Sequence, residues 1–175
     1  GRSRTLARDF ATLETIAMFS ESQSEMLVQE FMSRDVLRVG PLTSVGEAMN
    51  LMFDGRVSAL PVVDENDHCF GIVTATDLVV LVRSTARELK SEYMHDDDYR
   101  QAIELVQNRL DRAPVRDIMS ELMVTVGPDV SIQRAAKTMA EENVHHLPVV
   151  ADRRLVGLLS SVDIVTAIAG KSHQA

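Results

Sequence analysis

One cysteine, Cys69, is all that the sequence has. An internal disulfide framework and a cysteine-based zinc site are therefore excluded. A single thiol fits a reducing, cytoplasmic setting. Tryptophan is absent and aromatic residues make up only 4%, so there are no broad aromatic platforms on which nucleic-acid bases stack. Cations are in the minority, 18 Lys+Arg against 26 Asp+Glu, and the formal net charge is -8. That balance counts against a general binder of phosphate backbones. No apolar run approaches the roughly 18 residues of a spanning helix, and nothing at the start reads as a signal peptide. Gly1 opens the chain without a methionine, as it would in a piece of something larger. There is no Gly-x-x-x-x-Gly-Lys, no His-Glu-x-x-His and no Gly-x-Ser-x-Gly, so the expectation is a non-enzyme without a required cofactor or metal. Cys69 follows His68, but neighbouring strand residues point to opposite faces and do not make a nucleophile–base pair.

What is present is an ordinary globular balance, with 45% hydrophobic and 25% charged residues. At 175 residues there is room for one domain or one tightly joined pair of halves. The sequence repeats itself at an offset of 87. Phe31-Met32-Ser33 falls on Ile118-Met119-Ser120, and Val39-Gly40-Pro41 on Val126-Gly127-Pro128. Leu60-Pro61-Val62-Val63 falls on Leu147-Pro148-Val149-Val150. After a one-residue gap, Gly71-Ile72-Val73-Thr74 meets Gly157-Leu158-Leu159-Ser160, and Asp77 meets Asp163. Agreement in the same order twice marks two copies of one unit. The boundaries read as a helical lead at 1–27, a first unit at 28–83, a helical acidic insert at 84–113, a second unit at 114–170 and a tail at 171–175.

Each unit reads as strand, helix, strand, strand, helix. Val36 to Val39 is a short β-rich run stopped by Gly40-Pro41. Ser44 caps a helix with Glu47 at capping-box spacing, and Val45, Ala48, Met49 and Met52 follow at helical intervals. Leu60 to Val63 and Phe70 to Val73 are strands around a polar turn, and Thr74 opens the second helix. The second copy repeats this from Met123 to Ala169. The short, largely apolar strands are expected to lie under helices. A unit of this size has a marginal core, so pairing the copies buries what each leaves open. In the lead, Leu6, Phe10, Leu13 and Ala17 share one helical face. His95 to Asp98 precedes an insert helix and reads as a solvated acidic turn in preference to a metal site.

The repeated pattern resembles the cystathionine-beta-synthase (CBS) domain, and the tandem resembles a CBS pair, or Bateman module. The resemblance covers about two thirds of the chain. It implies an α/β (α+β) fold of two βαββα units, packed through their sheets with pseudo-two-fold symmetry, and clefts between the halves. It further implies a regulatory role, in which the clefts bind AMP, ADP, ATP or S-adenosylmethionine and occupancy is passed to a partner protein or domain. Family habit implies a homodimer joined through helices, with Ala48, Met52, Ala135 and Met139 at the contact.

The residues carry two readings of the same motif. Thr74-x-x-Asp77 and Ser160-x-x-Asp163 have the spacing of capping boxes, and spacing alone favours that role. An Asp at a helix start also accepts hydrogen bonds from both ribose hydroxyls. The resemblance tips the balance, because Thr74, Asp77, Ser160 and Asp163 match the family's ribose-binding motif in both copies. Gly71 and Gly157 would let the backbone approach a ligand. Val36, Leu37, Val57 and Ala59, with Met123, Val124, Val144 and His146, would line an apolar adenine slot, although for any one of them plain core is the simpler role. For phosphate the candidates are His145, His146 and Arg56, with Arg38, Arg153 and Arg154 behind them; the histidines precede Leu147-Pro148, where similar modules carry basic residues. The second copy's cleft looks the better phosphate site, more so at lower pH. The alternative to a sensor is a ligand-free module for dimerisation or docking, with both motifs serving only as caps.

Overall fold

A computed structural model describes residues 26–92, 99–121 and 124–170. The lead helix, the His95–Asp98 turn, Met123 and the 171–175 tail lie outside them.

A short helix α1 (Val28–Phe31) opens the described chain. Helix α2 (Val45–Gly55) begins at Ser44, whose Oγ accepts from the Glu47 amide while the Glu47 carboxylate accepts from the Ser44 amide. It buries Val45, Ala48 and Met52 on one face. Strands β1 (Ala59–Val63) and β2 (Cys69–Thr74) form an antiparallel hairpin. Its turn is fixed by Asp64, whose Oδ1 accepts from the amides of Asn66 and His68 at 2.8 and 2.9 Å. Those amides hold the Asp64 carboxyl below its usual pKa. Helix α3 (Ala75–Glu92) and helix α4 (Tyr99–Arg112) follow. The helix that opens the first unit's last segment therefore runs nine residues past 83, into the expected insert.

The second copy repeats the plan. A 3-10 turn (Val115–Asp117) stands where α1 stood, then come α5 (Ile132–Glu142), β3 (His146–Ala151), β4 (Arg154–Ser160) and α6 (Ser161–Ile168). Strands β3 and β4 are an antiparallel hairpin. Asp152 and Arg153 in its turn both have positive φ, 49° and 67°, as tight hairpins require.

Two expectations need correction. The first strand of each unit shrinks to a single parallel bridge, Val39 to Val62 and Val126 to Val149. Gly40-Pro41 and Gly127-Pro128 stop each run directly after its bridged residue. The other concerns Ala48, Met52, Ala135 and Met139. They are buried in their own cores, at 0, 5, 0 and 5% exposure, and have no surface to offer a second copy.

The cores are also exchanged. Val28 and Met32 open the first unit but pack in the second unit's core with Ile132, Leu147 and Leu159. The Val28 amide donates to the Val130 carbonyl at 2.9 Å, and Ser33 exchanges two backbone bonds with Leu158 at 3.0 Å. Conversely Val115 joins the first core with Val45, Leu60 and Val73. Its amide donates to the Thr43 carbonyl at 2.8 Å, and Ser120 pairs with Ile72. Each two-stranded sheet thus gains an edge from a segment that crosses over. Burying a valine is worth about 1.5–3 kcal/mol, so Val28 and Val115 tie the halves firmly together.

Gly71 and Gly157 are explained by this crossing. A methyl at Gly71 would strike the Met119 thioether, and one at Gly157 would strike Met32 and sit 3.0 Å from the Ser33 carbonyl oxygen. The glycines admit the crossing segments. They do not line the cleft between the two copies, where a close backbone approach was expected of them.

Candidate functional site: a cleft between the two copies

The open ends of the two hairpins build the site. Pairing of Ala59 with Thr74, and of His146 with Ser160, brings each strand's entrance beside the following helix start. The Ala75 amide donates to the Ser58 carbonyl and the Ser161 amide to the His145 carbonyl, both at 2.9 Å. Segment 56–59 is thereby clamped to 74–77, and segment 143–146 to 160–163. The two constructions face each other across one cleft of about 740 Å³. Ser58 Oγ lies 3.3 Å from His146 Nε2, a direct link between the copies.

Thr74, Asp77, Ser160, Asp163, Val57, Ala59, Val124, Val144, His145, His146 and Arg56 all line this cleft. Val36 and Leu37 do not: with only Val39 bridged to the sheet, the run before it lies outside, and the Leu37 side chain covers Gly55 at the end of α2. Arg38 is also elsewhere, its Nε 3.4 Å from the Asp67 carboxylate. Arg153 and Arg154 belong to the exposed β3–β4 turn and its edge, where the Arg154 backbone bridges His68. His68 and Arg154 are equivalent positions of the repeat, so that bridge straddles the pseudo-two-fold axis. The walls of this cleft are unequal, with Arg56 on the first copy's side and the histidines on the second's.

Both Ser/Thr-x-x-Asp motifs are complete capping boxes. Asp163 Oδ2 accepts from the Ser160 amide and hydroxyl, both at 2.7 Å, and the Asp163 amide donates to Ser160 Oγ at 3.2 Å. Asp77 Oδ2 accepts from the Thr74 amide at 2.8 Å and its hydroxyl at 2.7 Å. Both capping carboxylates stand at the wall of the cleft. Asp163 is 7% exposed, at the wall of the cleft. His146 is held below the usual imidazole pKa by burial, with the charge of His145 adding to this and Asp163 opposing it. The neutral ring is favoured there.

Several cleft residues escaped the sequence reading. Ser33 and Ser120 arrive with the crossing segments, and Asn143 occupies the position equivalent to Arg56. Arg56 and Asn143 end α2 and α5 in the same left-handed conformation, φ 53° and 54°. The 87-residue offset pairs both sets, which is the signal that would have found them.

Residues 28–84 and 115–170 each match the CBS domain family. The chain belongs to that family. Its fold is that of solved CBS pairs. A structure of CBSX2 in complex with AMP is 28% identical, with a TM-score of 0.63, covering 83% of this chain and 97% of that one. The CBS pair of protein MJ0100, in complex with 5′-methylthioadenosine and S-adenosylmethionine, is 26% identical, with a TM-score of 0.62 and coverage of 83% and 97%. Among curated relatives, the chloroplastic CBS domain-containing protein CBSX1 of Arabidopsis thaliana is 31% identical over 80% of this chain. The chain spans 63% of that relative and 34% of another. Among the described residues no helix is long and apolar enough to cross a membrane.

Proposed function

We propose that this CBS pair is a regulatory sensor that binds an adenosine-containing ligand in the cleft between its two copies. The observation that carries the reading is the convergence of two Ser/Thr-x-x-Asp motifs, from both copies, on one cleft. In this reading Asp77 and Asp163 accept from ribose hydroxyls, assisted by Thr74 and Ser160. Val57, Ala59, Val124 and Val144 enclose the adenine. Arg56, His145 and His146 approach the 5′ substituent. The AMP complex of CBSX2 and the methylthioadenosine and S-adenosylmethionine complex of MJ0100 support the choice of ligand class.

The role is binding and not catalysis. Burial pushes the Cys69 thiol up to about 11, the reverse of an activated nucleophile. Occupancy would reach a partner protein or domain through the relation of the two halves, provided ligand and output favour the same state. Self-association would use exposed apolar residues on α3 and α6, where Val79 is 58% and Val165 65% exposed. The single thiol supports a reducing compartment such as the cytoplasm. A ligand-free docking module remains the second reading, favoured by the completeness of both capping boxes.

A thermal-shift panel with AMP, ADP, ATP, S-adenosylmethionine and NADH separates the two. A ligand at ~100 times its Kd adds about 2.7 kcal/mol, which raises the melting temperature of a chain this size by roughly 5–11 °C. No shift with any adenosyl ligand sinks the sensor reading.

A further inference from the structure

The charges around the cleft bear on which adenosyl ligand it takes. Among the described residues its lining holds one permanent cation, Arg56, against two carboxylates, Asp77 and Asp163. No lysine lines it. The repeat offers a natural place for a second cation, the α5 cap equivalent to Arg56, and the residue there is Asn143. The remaining basic groups are His145 and His146, and His146 is buried enough to favour its neutral form. Its Nε2 is also engaged with Ser58 Oγ. Arg38 lies outside the cleft, its Nε 3.4 Å from the Asp67 carboxylate. The rest of the molecule gives no assistance at long range, because the net charge of the chain is -8.

From these groups, and resting on the adenosyl-sensor reading above, we infer that the cleft selects its ligand by charge. It takes adenosyl compounds whose 5′ group is neutral, cationic or a single phosphate, and it discriminates against di- and triphosphates. A lone guanidinium can pair with one phosphate. Each further phosphate brings negative charge into a space whose other fixed charges, among the described residues, are carboxylates, with no second permanent cation to answer it.

The test is calorimetric titration of the intact chain at pH 7.5 with 5′-methylthioadenosine, S-adenosylmethionine, AMP, ADP and ATP, at low salt and without magnesium. The expected order places ATP at least about tenfold weaker than AMP. In Asn143→Arg the second cap gains the cation that the first already has, in the same backbone conformation. The ratio of ATP to 5′-methylthioadenosine affinity should then rise by about tenfold. ATP binding as tightly as AMP to the natural chain overturns charge selection and leaves the adenosyl reading standing. An unchanged ratio of ATP to methylthioadenosine affinity in folded Asn143→Arg overturns it too. Failure of all five ligands to bind overturns the adenosyl reading itself, and this inference with it.

Discussion

Replacing Asp163 by alanine should damage the protein in two separable ways. The first is structural. Asp163 Oδ2 is the acceptor for the Ser160 amide and hydroxyl, both at 2.7 Å. Losing a cap of this kind costs about 0.5–2 kcal/mol. At about 2–4 °C per kcal/mol, the melting temperature falls by roughly 1–8 °C. The second is functional. A hydrogen bond to an ionised acceptor is worth about 1.5–3 kcal/mol, so loss of the ribose contact weakens binding by roughly 10–150-fold. Asp163→Asn divides the two effects. Its amide oxygen can still accept from Ser160, so much of the stability returns, but the charge that strengthens the ribose contact is gone. Urea denaturation and calorimetric titration with the ligand giving the largest thermal shift read the two quantities on the same samples. Should Asp163→Ala lose stability yet bind within about twofold of the natural chain, against the loss of a charged hydrogen bond, Asp163 is a cap and nothing more.

The glycines at the crossings should differ in cost. Gly157→Ala forces a methyl against the Ser33 carbonyl oxygen as well as Met32, while Gly71→Ala meets only the adaptable Met119 side chain. Chemical denaturation should show a loss of about 1–3 kcal/mol for Gly157→Ala and a smaller one for Gly71→Ala; equal losses would contradict the crossing geometry. Val28→Ala, at a fully buried position in the other copy's core, should cost about 1–3 kcal/mol, whereas a crossing segment that docks only loosely would leave stability unchanged. His146 sets a pH dependence. Its folded pKa lies below the ordinary imidazole value, so above about pH 6.5 the group is neutral in both states and contributes nothing. Below that, the unfolded chain takes up a proton that the folded chain resists, and stability falls as pH drops toward the folded pKa. His146→Gln should flatten that part of the profile, and an unaltered slope between pH 7.5 and 5.5 would refute the assignment.

The repeat carried most of what was legible. Aligning Leu60 to Val63 with Leu147 to Val150 located both hairpins, and Thr74 with Ser160 located both helix starts. The walls of the cleft followed, because residues flanking a strand entrance and a helix cap are brought together by the hairpin register itself. The first strands were less legible. Apolar β-branched residues at Val36 and Val39 look like a strand whether one rung or four are paired, and only Val39 is. The residues expected at the dimer contact misled for a related reason. Ala48 and Met52 have the spacing of a buried face, and spacing does not say whether the chain's own core or a second copy buries it. The crossing was invisible for want of any local signal: Val28 and Val115 would be equally apolar if each packed on its own unit.

The crossing has a consequence for how a ligand could act. Neither copy closes its core from its own residues, since Val28 and Met32 complete the second and Val115 the first. Cutting at the sequence boundary between 113 and 114 would leave each half with an open face and an unpaired sheet edge. The same crossing segments end in Ser33 and Ser120, which reach the cleft wall. A ligand seated there meets both hairpins, the starts of α3 and α6, and both crossing strands at once. Any change in the angle between the copies must therefore alter the cleft. By reciprocity, a ligand that fits one angle better shifts the pair toward it only by its difference in affinity for the two. Ser58 and His146, linked across the copies at 3.3 Å, are where such a change would first be felt.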